Sequence, residues 1–189
     1  MPVTKIYIKN MVCNRCIRFV KQELETIGYT INNIQLGEVE ISGKSINTGK
    51  IRKVLGDNGF ELLEDKKVQL INQIKSLIIN KIHHQGLEDF NKNYSDFISQ
   101  QLGKDYTYLS HLFSSHESIT IEKYIILQKI ERVKELLVYD ELTLSEIAYR
   151  MNYSSVAHLS NQFKQVTGLT PTTFKQNNAA NARMPLDRV

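Results

Sequence analysis

The stretch Asp105-Tyr106-Thr107-Tyr108-Leu109-Ser110-His111-Leu112-Phe113 returns fifty residues later as Ser155-Val156-Ala157-His158-Leu159-Ser160-Asn161-Gln162-Phe163. Leu, Ser and Phe keep their places in both copies. The match runs on, with Thr120 returning as Thr170 and Tyr124 as Phe174. Leu and Phe stand four residues apart in each copy, which puts them on one face of a helix. Ahead of each copy lies a short amphipathic segment that ends in a turn residue. Ile98 and Leu102 lead to Gly103, and Ile147, Ala148 and Met151 lead to Asn152. Glycine suits a left-handed turn, and Asn tolerates one. Asp105 caps the first following helix, and Ser154 or Ser155 the second. The turn residues repeat at an offset of 49, so the second turn is one residue longer. Each copy therefore reads as a helix-turn-helix, the first spanning about 95–115.

Such a unit lays its second helix in the DNA major groove, with exposed N-terminal side chains at base edges. Two units in one polypeptide can place two helices in successive grooves of one duplex. Setting aside the buried Leu and Phe leaves Thr107, Ser110 and His111 to read bases in the first copy. In the second it leaves Val156, Ala157 and Asn161. Val156 and Ala157 suit a thymine methyl, and Asn161 suits adenine. Phosphate contacts are expected from Lys104 and Lys164 and from hydroxyls such as Ser114 and Ser155. His158, opposite Tyr108 in the repeat, is expected to pack at the helix–helix contact. The scaffolds match but the exposed faces differ, so an asymmetric site is expected. The plainer alternative is a helical interaction domain.

Composition fits this reading without deciding it. Of 189 residues, 41% are hydrophobic and 23% charged, which is ordinary for a globular chain of one large or two small domains. Residues 1–65 carry nine basic against eight acidic residues, and 66–189 carry fifteen against twelve. The net charge of +4 thus lies mainly in the half with the repeat. No apolar run is long enough for a membrane span, and the N-terminus lacks a signal pattern, so a cytoplasmic protein is expected. No catalytic triad or phosphate loop is visible, and a non-enzyme is expected.

Residues 4–9 alternate as a strand, and 14–27 place Ile17, Val20, Leu24 and Ile27 at helical spacing. Ile34 and Leu36 lead through Gly37 to Val39 and Ile41, the pattern of a hairpin. A second helix is expected over 47–57 and a last strand from Phe60 and Leu62. The order βαββαβ predicts a ferredoxin-like domain over 1–65. Cys13 and Cys16, the two cysteines of the chain, fall between the first strand and first helix. Two cysteines at this spacing ask for a metal or redox role rather than a disulfide framework. The helix N-terminus, Arg15 and Arg18 favour thiolate, and thiolates prefer soft ions. Two ligands are too few for a structural zinc site. Thiol–disulfide exchange and idle thiols are the alternatives, and Met11 is expected to pack under the loop.

Residues 66–84 form an amphipathic helix through Val68, Ile71, Ile74, Ile78 and Ile82, read as the first core helix of a second domain or as a dimer seam. His83-His84 close it. Residues 121–139 form a long connecting helix with Ile125, Ile130, Val133, Leu136 and Leu137 buried. The tail 178–189 has no periodicity and is expected to be mobile.

Two resemblances give these readings names. Met11-Val12-Cys13-Asn14-Arg15-Cys16, with Gly59-Phe60, resembles the heavy-metal-associated domain family over 1–65, although Asn10 stands where that family usually has Gly. The resemblance implies Cu(I) or another soft metal ion held by Cys13 and Cys16. The strings at 129–137, 144–148, 160–164 and 168–171, with Phe174, resemble the AraC-type DNA-binding domain over about 68–177. Lys129 stands for its usual Arg, Val133 for Ala, and Asn152-Tyr153 for Gly-Phe. The expected architecture is α+β, with the ferredoxin-like domain at 1–65, an all-α double helix-turn-helix at 66–177 and a tail at 178–189. The expected function is a bacterial-type transcription regulator that binds double-stranded DNA under soft-metal control, as a monomer or homodimer, with RNA polymerase as a further partner. The alternatives are a redox-sensing regulator working through a Cys13–Cys16 disulfide, and a metal chaperone or thiol oxidoreductase whose helical half docks a partner.

Overall fold

The computed structural model describes residues 3–87, 90, 93–176, 184–187 and 189. It is a mixed α+β chain that divides into two compact units, Met1–Asn80 and Lys81–Val189.

The first unit runs β1 (Val3–Lys9), α1 (Asn14–Thr26), β2 (Thr30–Gln35), β3 (Glu38–Ser42), α2 (Thr48–Gly56), β4 (Glu61–Leu63) and α3 (Lys66–Ile79). Its sheet has the order β2-β3-β1-β4, and every neighbouring pair is antiparallel. Alternation along the strands builds the core. Ile6 and Ile8 of β1 and Val39 and Ile41 of β3 are buried with Val20 and Leu24 of α1 and Ile51 and Leu55 of α2. A register shift at Ile31/Asn33 interrupts the β2–β3 ladder.

Helix α3 belongs to this unit rather than to the helical one, so the division falls after Asn80 and not at the expected 65/66. Polar groups attach it to the sheet. Asn72 Nδ2 donates to the Ile8 carbonyl at 3.3 Å, and Gln73 Nε2 donates to Glu38 at 3.2 Å. Glu38, itself buried, also pairs with Lys5 at 2.7 Å. This bond and charge raise the Lys5 pKa above its ordinary value. A polar helix face on a sheet is not visible in hydrophobic periodicity. The approach is close at Gly37, where φ is +76°. A Cβ there would sit 2.6 Å from Ser76 Oγ and 2.7 Å from Asn72 Nδ2. Gly37→Ala is therefore expected to cost about 2 kcal/mol from backbone strain and crowding together. Urea unfolding of the variant beside the parent checks this.

A π-helical segment, Asn80–Gln85, follows α3 directly, and its residues from Lys81 on belong to the second unit. Then come α4 (Tyr94–Leu102), α5 (Tyr106–Glu117), α6 (Ile121–Tyr139), α7 (Leu144–Arg150), α8 (Val156–Thr167) and α9 (Pro171–Gln176). Side-chain oxygens mark most helix starts. Asp105 caps α5, Thr120 caps α6 and Ser155 caps α8. Thr143 and Glu146 form a reciprocal capping box on α7. Ile125, Ile130, Val133, Leu136 and Leu137 of α6 are buried as expected, but so are Gln128, Glu131 and Lys134.

These buried polar groups are satisfied. Lys134 pairs with Glu131 at 2.6 Å. Gln128 Nε2 donates to Tyr124 Oη at 3.0 Å and to the Leu186 carbonyl at 3.3 Å. Its Oε1 is thereby left to accept from His83 Nε2 at 2.9 Å. Much of the expected mobile tail lies outside the described residues. Its described part is anchored, since Met184 N–H donates to Glu131 at 3.0 Å beside the Leu186 bond. Sequence periodicity carries no sign of such a contact, which exists to satisfy buried polar groups on α6. Among the described residues, no helix is long and apolar enough to cross a membrane.

Candidate nucleic-acid interface and cysteine pair

The two copies of the repeat fold alike. Leu109 and Phe113 of α5 and Leu159 and Phe163 of α8 are all fully buried. Phe113 packs against Tyr124 with ring centroids 5.6 Å apart, and Phe163 packs against Phe174 at 5.4 Å. The turns match as well, because Gly103 and Asn152 are both left-handed, with φ of 60° and 54°. Asn152 adds a hydrogen bond from its side chain to the Phe90 carbonyl at 3.0 Å.

Outside this shared scaffold the faces differ. On α5, Thr107 and His111 are exposed and Ser110 is half-buried. On α8, Ala157 and Asn161 are exposed and Val156 is half-buried. Lys104 and Lys164 are exposed. The hydroxyls are more constrained. Ser114 Oγ donates to the Ser110 carbonyl at 2.8 Å, inside its own helix. Ser155 accepts from the His158 backbone N–H at 3.1 Å as the cap of α8.

His158 does not pack in a helix–helix contact as the sequence suggested. It is exposed, and its Nδ1 lies 3.0 Å from Ser154 Oγ. Tyr108, its counterpart, is also half-exposed, at 50%. Helical spacing accounts for both exposures. Each follows the exposed Thr107 or Ala157 by one residue and precedes His111 or Asn161 by three, which keeps it on the outer face.

In the first unit, Cys13 is the extended N-cap residue of α1, and both thiols are free and half-buried. Their sulfurs are 3.3 Å apart. Burial opposes ionisation of Cys13. Hydrogen bonds from the Cys16 backbone and thiol and from the Arg15 backbone, with the Arg15 charge, outweigh it and lower the Cys13 pKa. Burial raises the Cys16 pKa, and the neighbouring Cys13 adds to this. The helix start therefore favours thiolate at Cys13 and not at Cys16. Met11 is buried in the core. Asn10 adopts φ 72° ahead of the loop and donates to the Gly59 carbonyl at 2.9 Å, so it meets the conformational need that Gly would meet. Among the described residues, no group of three or more His, Cys, Asp or Glu side chains is placed to hold a metal. Two adjacent sulfurs fit a two-coordinate soft ion and do not fit a four-ligand zinc site.

Residues 98–177 match the protein family described as a helix-turn-helix domain. Over these residues the chain is similar to that helix-turn-helix family. Over 91 residues the chain is 29% identical to YdiP of Escherichia coli K12, an uncharacterized HTH-type transcriptional regulator, covering 46% of this chain and 30% of that protein. Over 111 residues it is 28% identical to the Msm operon regulatory protein of Streptococcus mutans, covering 57% and 37%. In structure it is similar to the C-terminal domain of AraT, a response regulator from Geobacillus stearothermophilus. The TM-score is 0.51 at 19% identity, over 60% of this chain and 88% of that one, a likeness of fold. The chain spans between 13% and 37% of the length of the curated relatives it matches.

Proposed function

We propose that this chain is a sequence-specific, DNA-binding transcription regulator of the AraC type. One observation carries the reading: α5 and α8 are held by equivalent buried Leu–Phe pairs while their outer faces carry different, exposed side chains. Thr107, Ser110 and His111 read one half-site, and Val156, Ala157 and Asn161 read the other. Lys104 and Lys164 contact phosphate, with Ser155 beside them. Ser114 contributes less, its proton being engaged within α5. Footprinting tests this directly. A protected stretch of about 20 base pairs, with two unlike half-sites one helical turn apart, is expected. Absence of protection even at low salt, where phosphate contacts are strongest, removes the DNA reading.

The first unit is read as a ferredoxin-like domain of the heavy-metal-associated kind, whose Cys13 and Cys16 sulfurs hold Cu(I) or a similar soft ion and so control DNA affinity. Support comes from the strand order, the 3.3 Å sulfur spacing and the lowered Cys13 pKa. Cys13→Ser/Cys16→Ser is expected to lower Cu(I) affinity by at least about a hundredfold, measured by competition with a chromophoric chelator. DNA affinity of the parent should shift with Cu(I), and that of the double variant should not. Equal DNA affinities in all four cases leave DNA binding intact and remove metal control.

The sulfur spacing also favours a second reading, oxidation of the pair. One hydrogen peroxide would take two electrons and two protons from the thiols, giving a Cys13–Cys16 disulfide and two waters. A DNA affinity that responds to peroxide but not to Cu(I) under reducing conditions selects this reading.

A further inference from the structure

The turn between α7 and α8 is longer than the turn between α4 and α5, and its inner residues reach onto α8. Between the left-handed Gly103 and the cap Asp105 stands Lys104 alone. Between Asn152 and the cap Ser155 stand Tyr153 and Ser154. Lys104 is exposed, whereas Tyr153 is buried. Tyr153 Oη donates to Gln162 Oε1 at 2.7 Å. The Tyr153 ring meets the His158 ring edge-on, with centroids 5.3 Å apart. Lys129 Nζ of α6 stands over the same ring, 4.7 Å from its centre. One aromatic side chain therefore touches α6 once and α8 twice.

The two contacts on α8 are one helical turn apart, at His158 and Gln162. A helix held at two such points can neither slide nor rotate about its axis without breaking one of them. Ala157 and Asn161 directly precede these residues, so their direction is set by the same two contacts. The first copy has no equivalent among the described residues. Leu112 occupies the place of Gln162, and the shorter turn has no buried aromatic.

We infer that Tyr153 is a positioning residue for base reading by α8, setting the rotation at which the helix presents Ala157 and Asn161. This rests on the DNA-reading proposal above. The test uses the full chain and a duplex selected by the parent from random sequence. Binding is then measured against every single base-pair substitution for the parent, Tyr153→Phe, Gln162→Leu and the pair together. Base pairs belonging to α8 are those whose preference changes in Asn161→Ala. Tyr153→Phe keeps the ring and loses only the hydroxyl. It should melt near the parent and lose about fivefold to tenfold in discrimination at the α8 base pairs, with the α5 base pairs unchanged. Gln162→Leu should do the same, and the pair should do no worse than either alone. Discrimination equal to the parent at every base pair overturns the inference. So does a lower melting temperature with a uniform loss across both half-sites. A parent that selects no duplex overturns the DNA-reading proposal, and this inference with it.

Discussion

Phe163→Ala is expected to remove 3–5 kcal/mol from the second unit, about the cost of emptying a large, fully buried aromatic site. Phe163 is fully buried and packs edge-on against Phe174. That loss is a large part of the roughly 5–15 kcal/mol that holds a domain folded. It falls on the helix that carries Val156, Ala157 and Asn161, so DNA affinity should fall with stability. Phe163→Leu keeps most of the volume and should cost about 1–1.5 kcal/mol. Asn161→Ala, on the exposed face of the same helix, should leave melting nearly unchanged while altering base preference. Melting followed by circular dichroism, beside a DNA-binding assay, separates the three. If Phe163→Ala melts where the parent does, the buried Leu–Phe pair is not what holds α8.

The second large effect is acid sensitivity. Burial lowers the His83 pKa from 6.5 to about 4, against the opposing hydrogen bond with Gln128. The unfolded chain therefore binds more protons than the folded one between those two values. Stability from this residue is complete above about pH 6.5 and drains away as the pH falls toward 4. The gap corresponds to at most about 3 kcal/mol. Unfolding free energies of the parent measured between pH 7 and pH 4 should fall along this curve. In His83→Gln, which cannot take up a proton, the slope across that window should flatten. Among the described residues, the lowered Glu122 and Glu146 pKa values act below about 4.5, which leaves the upper part of the window to His83. Equal slopes in parent and variant would place the acid sensitivity elsewhere.

The repeat was legible because burial leaves a periodic mark. Leu109, Phe113, Leu159 and Phe163 are spaced for one helix face, and all four are buried. The strands of the first unit were legible for the same reason. Contacts made by polar groups left no such mark. Nothing in the spacing shows that Asn72 and Gln73 attach α3 to the sheet, or that Gln128 gathers His83, Tyr124 and Leu186 around one amide. The exposure of His158 was hidden because it neighbours a buried Leu in sequence, where only the helix period separates in from out. At the cysteine pair, the sequence showed two sulfurs and a helix start. It did not show that burial raises one thiol while backbone N–H groups lower the other.

The nineteen residues of α6 join the two helix-turn-helix copies, a rod of about 28 Å at 1.5 Å per residue. Proteins that pair two copies to reach two half-sites set the interval by how the copies meet. In this chain the interval is a covalent ruler. If the chain reads both half-sites as proposed, each inserted base pair turns the far half-site by about 35° around the duplex, and α6 does not lengthen to follow it. On the DNA-reading proposal, the order of the two half-sites and the spacing between them are therefore as much a part of the message as the bases themselves.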